Sequence, residues 1–104
     1  MIARVWRGPV PAAKADTYLE YMKKTGVRAI RATPGNQGLF VLRRVNDGRA
    51  EFQFMSLWES MLAIQAFAGP EPERAVYYPE DADYLLEMEP GVAHYEVLVH
   101  PEDR

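Results

Sequence analysis

Gln37-Gly38-Leu39-Phe40-Val41-Leu42-Arg43-Arg44-Val45, the turn Asn46-Asp47-Gly48, and Ala50-Glu51-Phe52-Gln53-Phe54-Met55-Ser56-Leu57-Trp58 form the stretch that decides the fold. Two runs rich in β-branched and aromatic residues flank an Asp-Gly pair, and glycine's ease with positive φ makes that pair a strong hairpin signal. The reading is therefore strand two over 37–45 and strand three over 50–58. In the two-residue period, Phe52, Phe54, Ser56 and Trp58 share one face of strand three and Gln53, Met55 and Leu57 the other. Neither face is cleanly polar.

Working toward the N-terminus, Ala32-Thr33-Pro34-Gly35-Asn36 is turn chemistry. Before it, Ala12, Ala15, Leu19 and Met22 recur at helical spacing, with Pro11 suited to the first turn and Lys23 and Lys24 to the negative end. This predicts a helix over 11–25 closed by a left-handed Gly26. Ile2 to Arg7 reads as strand one, stopped by Gly8-Pro9. Toward the C-terminus, Ser60 is the expected N-cap of a helix carrying Leu62, Ile64 and Phe67 and ending at Gly69-Pro70. Residues 72–88 read as one or two short helices interrupted at Pro79, residues 92–99 as the last strand, and residues 100–104 as a polar tail.

The order is β-α-β-β-α-β, so the expected class is α+β, a ferredoxin-like antiparallel sheet in a single domain over 1–104. Each crossover carries a helix, as strands running the same way require. The strands do not alternate: Leu39, Val41 and Val45 oppose Phe40 and Leu42, while Val92 and Leu98 oppose Tyr95, Val97 and Val99. Two helices cover only one face of a sheet, so the second apolar face predicts a homodimer formed sheet to sheet.

Composition excludes several function classes. The 104 residues include no Cys, which rules out disulfides, thiolate metal sites and a cysteine nucleophile. No apolar run approaches the roughly 20 residues of a membrane span, and the first residues lack a signal-peptide core, so a soluble, cytoplasmic protein is expected. Residues 1–50 hold 10 Lys and Arg against 3 Asp and Glu, and residues 51–104 hold 2 against 12. Local pairing within one domain or across a dimer explains this better than nucleic-acid binding, since no basic run with interleaved aromatics appears and the pI is near 5.3. No nucleotide, phosphate, hydrolase or zinc-protease motif is present.

The strand order, the Leu57-Trp58-Glu59-Ser60 step into the second helix and the closing His94-Tyr95-Glu96-Val97 strand together resemble the antibiotic-biosynthesis-monooxygenase-like domain of the dimeric α+β barrel superfamily, over nearly the whole chain. The resemblance implies a homodimer with a small hydrophobic pocket between each sheet and its helices. It also implies either cofactor-free oxygenation of aromatic polyketides, haem degradation, or no established reaction. The haem-degrading branch is recognised by an Asn in strand one, a Trp late in the second helix and a His shortly after it. Here those places hold Trp6 and Arg7, Phe67, and Ala75-Val76-Tyr77-Tyr78, so neither a haem site nor any other cofactor is carried over.

Cofactor-free oxygenation needs an apolar cavity, a base or donor for the developing oxyanion, and exclusion of water. The candidate catalytic residues are His94 and Tyr78, and the candidate pocket residues Trp6, Arg43, Trp58, Phe67, Tyr77 and Tyr95. Each has a structural alternative. His94 can be a satisfied strand residue, Trp58 core packing, and Tyr77 and Tyr78 anchors of the irregular segment. Glu96 shares a face with His94 and is expected to raise its pKa. Arg4, Arg43 or Arg44, and Glu96 interrupt otherwise apolar strands; an Arg–Glu pair inside the barrel or at its mouth is the expected reason, and anchoring of an anionic substrate the alternative. The acidic cluster Glu80, Asp81 and Asp83 reads as a solvated helix start and not a metal site. Two functions follow: a small oxygenase-like or isomerase-like enzyme acting without a tightly bound cofactor on an apolar aromatic or polyketide-like compound, or a non-catalytic dimeric module that binds a small apolar ligand or provides an assembly surface.

Overall fold

The computed structural model describes residues 1–102; the last two residues of the expected polar tail lie outside the described residues. Strand β1 (Ile2–Pro11) leads through a 3-10 turn at Ala12–Lys14 into helices α1 (Ala15–Lys24) and α2 (Gly26–Ala32). The hairpin of β2 (Asn36–Asn46) and β3 (Arg49–Trp58) follows, then α3 (Met61–Ala68), the single turn α4 (Asp81–Tyr84) and β4 (Ala93–Glu96). Spatial order in the sheet is β2-β3-β1-β4, with every neighbouring pair antiparallel. The same-direction strands that the helical crossovers join are thus separated by one opposed strand.

The hairpin turn forms as its chemistry requires, with Asp47 and Gly48 both at positive φ, 51° and 76°. Even-numbered positions of β1 and β3 face the helices. Val10, Phe52, Trp58 and Ile64 are fully buried there with Tyr18, Met22 and Ile30, each large apolar side chain contributing about 1.5–3 kcal/mol. The Trp58 indole N–H donates to Ser56 Oγ at 2.8 Å, so the ring is buried without an orphaned donor. Ser60 caps α3 as expected, its Oγ accepting from the Ala63 N–H at 3.1 Å.

Several local expectations are corrected. Strand β1 passes through Gly8-Pro9 to Pro11, because β4 pairs only with Ile2 to Val5 and leaves the later part of β1 an edge where proline's missing N–H is tolerated. Gly8 is a packing position: a Cβ there would stand 2.3 Å from the Trp6 ring and 2.7 Å from Leu85. The single helix over 11–25 is two helices broken at Thr25, whose φ and ψ are −114° and −94° and whose Oγ1 donates to the Tyr21 carbonyl at 2.9 Å. Gly26 therefore opens α2 and is no left-handed cap; its bare Cα lets α2 approach Phe54, from which a Cβ would lie 3.2 Å. In α3, Ile64 and Phe67 turn inward and Leu62 does not, since residues two apart lie on different helix faces. Residues 72–88 contain only the one turn of α4, and β4 stops at Glu96 because β1, its partner, begins at Ile2.

The other sheet face is uncovered by helices. Phe40, Met55, Val5 and Ala93 form one row across it and Leu57, Ala3 and Tyr95 the next. Phe40, Leu42 and Tyr95 are about half exposed.

Candidate active site

Between the sheet and its helices lies a mostly apolar cavity. Arg4 and Trp6 of β1 and Phe54 and Ser56 of β3 form its floor. Tyr18 and Met22 of α1, Gly26 and Ile30 of α2 and Phe67 of α3 wall it, and the irregular stretch before α4 closes it with Val76 and Tyr78. About 40 Å³ of it is open to the centre of a water molecule, well under the roughly 300 Å³ at which ligand pockets begin.

Arg4 is the charged group of this floor and is only 4% exposed. Among the described residues no carboxylate pairs with it, which corrects the expected Arg–Glu pair. Its Nη2 donates to the carbonyls of Arg74 at 2.7 Å and Pro72 at 3.3 Å, stapling the segment after α3 to the sheet. Its Nε–H is buried with no partner. The guanidinium carbon stands 5.5 Å from the centre of the Phe67 ring, a cation–π contact. Burial lowers the Arg4 pKa to about 10, partly opposed by Tyr78, so the group stays cationic at neutral pH.

The acidic cluster is not wholly solvated. Asp81 is buried and lines the cavity, its Oδ1 accepting from the Tyr18 hydroxyl at 3.0 Å and its Oδ2 from the Tyr78 N–H at 2.6 Å. Burial and then Asp81 push the Tyr18 pKa strongly upward, so Tyr18 remains a neutral donor. Burial raises Tyr78 as well, with Asp81 adding to the rise and Arg4 opposing it. Asp81 thus fixes both the turn that carries Tyr78 and one wall of the cavity. Sequence reading names neither Tyr18 nor Phe54 as a pocket residue and takes Asp81 for a solvated one; the available signal is an acidic residue two positions after Pro79 and a tyrosine on an amphipathic helix.

The sequence candidates separate into groups. Trp6, Phe67 and Tyr78 line the cavity. Tyr77 stands behind it, accepting from the Trp6 indole N–H at 3.3 Å and donating to the Glu89 carbonyl, and its hydroxyl is raised first by burial. Trp58 lies beneath, stacked on Phe67 at 5.9 Å. Arg43 is away from the cavity in an exposed ion pair with Asp16 at 2.8 Å, and Tyr95 is on the opposite sheet face. His94 pairs in register with Arg4 and so faces the same side, yet it does not line the cavity. Its Nε2 is buried without a partner. Burial and then Arg4 lower its pKa, with Glu73 opposing; the expected rise from Glu96 does not occur because Glu96 is exposed.

No family model and no curated protein matches the sequence. Solved structures do. A putative antibiotic biosynthesis monooxygenase from Bacillus cereus is 20% identical, with 98% of this chain and 97% of that one covered at a TM-score of 0.67. A heme-degrader from Mycobacterium tuberculosis, with two hemes bound in its active site, is 22% identical over 96% and 98% at 0.64. A Streptomyces coelicolor monooxygenase in complex with nanaomycin D is 20% identical over 97% and 91% at 0.57. The chain has the antibiotic-biosynthesis-monooxygenase-like α+β fold. Haem does not fit these residues: no imidazole lines the cavity to ligate the iron.

Proposed function

We propose that the chain is a small cofactor-independent oxygenase-like enzyme acting on an apolar aromatic or polyketide-like compound. The observation that carries this reading is a buried arginine with no carboxylate partner among the described residues, lining an apolar, aromatic-walled cavity. A buried cation of this kind stabilises an anionic oxygen that develops beside it, and low dielectric strengthens the effect. The bound nanaomycin D of the Streptomyces neighbour supports the ligand class. An anthrone that has given one proton to solvent passes an electron to dioxygen, the two radicals join at carbon, and the peroxide takes a proton back and loses water to leave the quinone. In this reading the ring enters as Phe67 and the Val76–Tyr78 segment move apart. Tyr78 donates to the substrate, and His94 lies behind Arg4 as a secondary group.

The test is dioxygen uptake with 1,8-dihydroxyanthrone, which consumes one O2 and releases one water on conversion to the anthraquinone. Wild type should raise the rate over buffer, and Arg4→Met should lower it by roughly 10²-fold, the scale of losing one oxyanion donor. A rate equal to buffer would refute the proposal. The narrowness of the cavity favours a second reading, a non-catalytic dimeric module, and thermal stabilisation by the anthrone without any uptake would select it. In both readings the chain forms a homodimer through the uncovered sheet faces.

A further inference from the structure

The cavity contains a buried cation but no group placed to act as a strong base. Tyr18 is a donor held to Asp81, and both Asp81 oxygens already accept hydrogen bonds. His94 pairs in register with Arg4 but is outside the lining, and Glu73 acts on His94 from the segment that Arg4 staples. Ser56 spends its hydroxyl on the Arg4 carbonyl at 3.4 Å. What remains, beside a Tyr78 hydroxyl that burial keeps a neutral donor, is the Arg4 Nε–H, buried and unpartnered on a side chain more than nine-tenths buried, which is an unfilled place for an acceptor.

We infer that this cavity selects its ligand in the ionised state: an acidic hydroxyl on an apolar ring binds as the oxyanion against the Arg4 Nε–H, its proton going to solvent, so that the guanidinium sets the ligand's protonation without a side-chain base. This rests on the reading of the Arg4 cavity as the ligand site. The electrostatics follow from the surroundings. An apolar wall alone disfavours any charge and raises a phenol's pKa, whereas an adjacent opposite charge lowers it. Arg4 brings that charge and is not already neutralised by a carboxylate. Tyr78, the ionisable group that acts on Arg4, stays neutral because burial raises it; Asp81 lines the same cavity with both oxygens already accepting, from Tyr18 and from the Tyr78 backbone, and Glu73 and His94 lie outside the lining. The Phe67 ring over Arg4 marks where an aromatic ligand can lie in contact with the same cation.

The experiment is a spectroscopic pH titration of 4-nitrophenol, whose phenolate absorbs separately from the phenol, with the full chain in excess. Bound 4-nitrophenol should show an apparent pKa about one unit or more below its free value, the scale set by an opposite charge nearby. 4-Nitroanisole, which cannot ionise, should bind at least about tenfold more weakly, a comparison that needs no variant. Arg4→Lys, which keeps the charge while losing the Nε–H, should retain part of the pKa fall, and Arg4→Met should abolish it if the variant folds. An unshifted or raised pKa, equal binding of the anisole, or no binding of 4-nitrophenol would each overturn the inference. A lowered pKa without dioxygen uptake from the anthrone keeps this inference and removes the oxygenase reading; uptake with an unshifted pKa does the reverse.

Discussion

His94 and Arg4 face each other across β1 and β4, and their proximity has a pH signature. Burial and the Arg4 charge hold His94 below its ordinary 6.5. Just under that pH the unfolded chain binds a proton that the folded chain refuses, so stability is full above about 6.5 and falls as the solution is acidified through it. Melting temperature should drop between about pH 7.5 and 5.5, and His94→Gln should flatten part of that drop while leaving the value at the higher pH nearly unchanged. Identical slopes in both proteins would place His94 in solvent. The residue was legible in sequence as a strand histidine, but the sign of its shift was not, because its dominant neighbours, Arg4 and Glu73, are brought to it by β-pairing and a loop. Arg4 was visible as a charge in an apolar strand; its lack of a carboxylate was visible only in three dimensions.

At the level of elements, the hairpin and the α3 cap were readable because their causes are local: positive φ at Asp47 and Gly48, and a serine hydroxyl over an N-terminal turn. Ser60→Ala should cost about 1 kcal/mol, read as a lower urea midpoint with an unchanged slope. The boundaries that moved were set by distant partners. Strand β1 outruns Gly8-Pro9 because β3 continues beside it to Arg49, and β4 ends where β1 has no more residues to pair. Gly8→Ala tests this directly. Its Cβ collides with the Trp6 ring and Leu85, so we expect about 1–3 kcal/mol of destabilisation. An unchanged urea midpoint would mean that Trp6 shifts freely, and would loosen the cavity floor drawn above.

For the whole molecule, one sheet face is packed and the other carries apolar rows at Phe40, Met55 and Val5 and at Leu57, Ala3 and Tyr95. Obligate interfaces bury upward of about 2,000 Å² and match this composition. Light scattering at micromolar concentration should give twice the chain mass, and Phe40→Glu, a change at a half-exposed position, should shift it toward the single-chain mass without loss of helical signal. A monodisperse single chain in wild type would refute the dimer. Among the described residues no helix is long and apolar enough to cross a membrane. The sequence by itself determined the element order, the hairpin, the capped helix and the doubly apolar strands, because period and turn chemistry act over a few residues. Only the tertiary structure decided which side chains meet: it carried Tyr78 and Asp81 to the Arg4 cavity from more than seventy positions away, sent Arg43 and Tyr95 elsewhere, and left a buried guanidinium without a counter-charge among the described residues. Such meetings depend on register and on the path of an irregular loop, which no local pattern encodes.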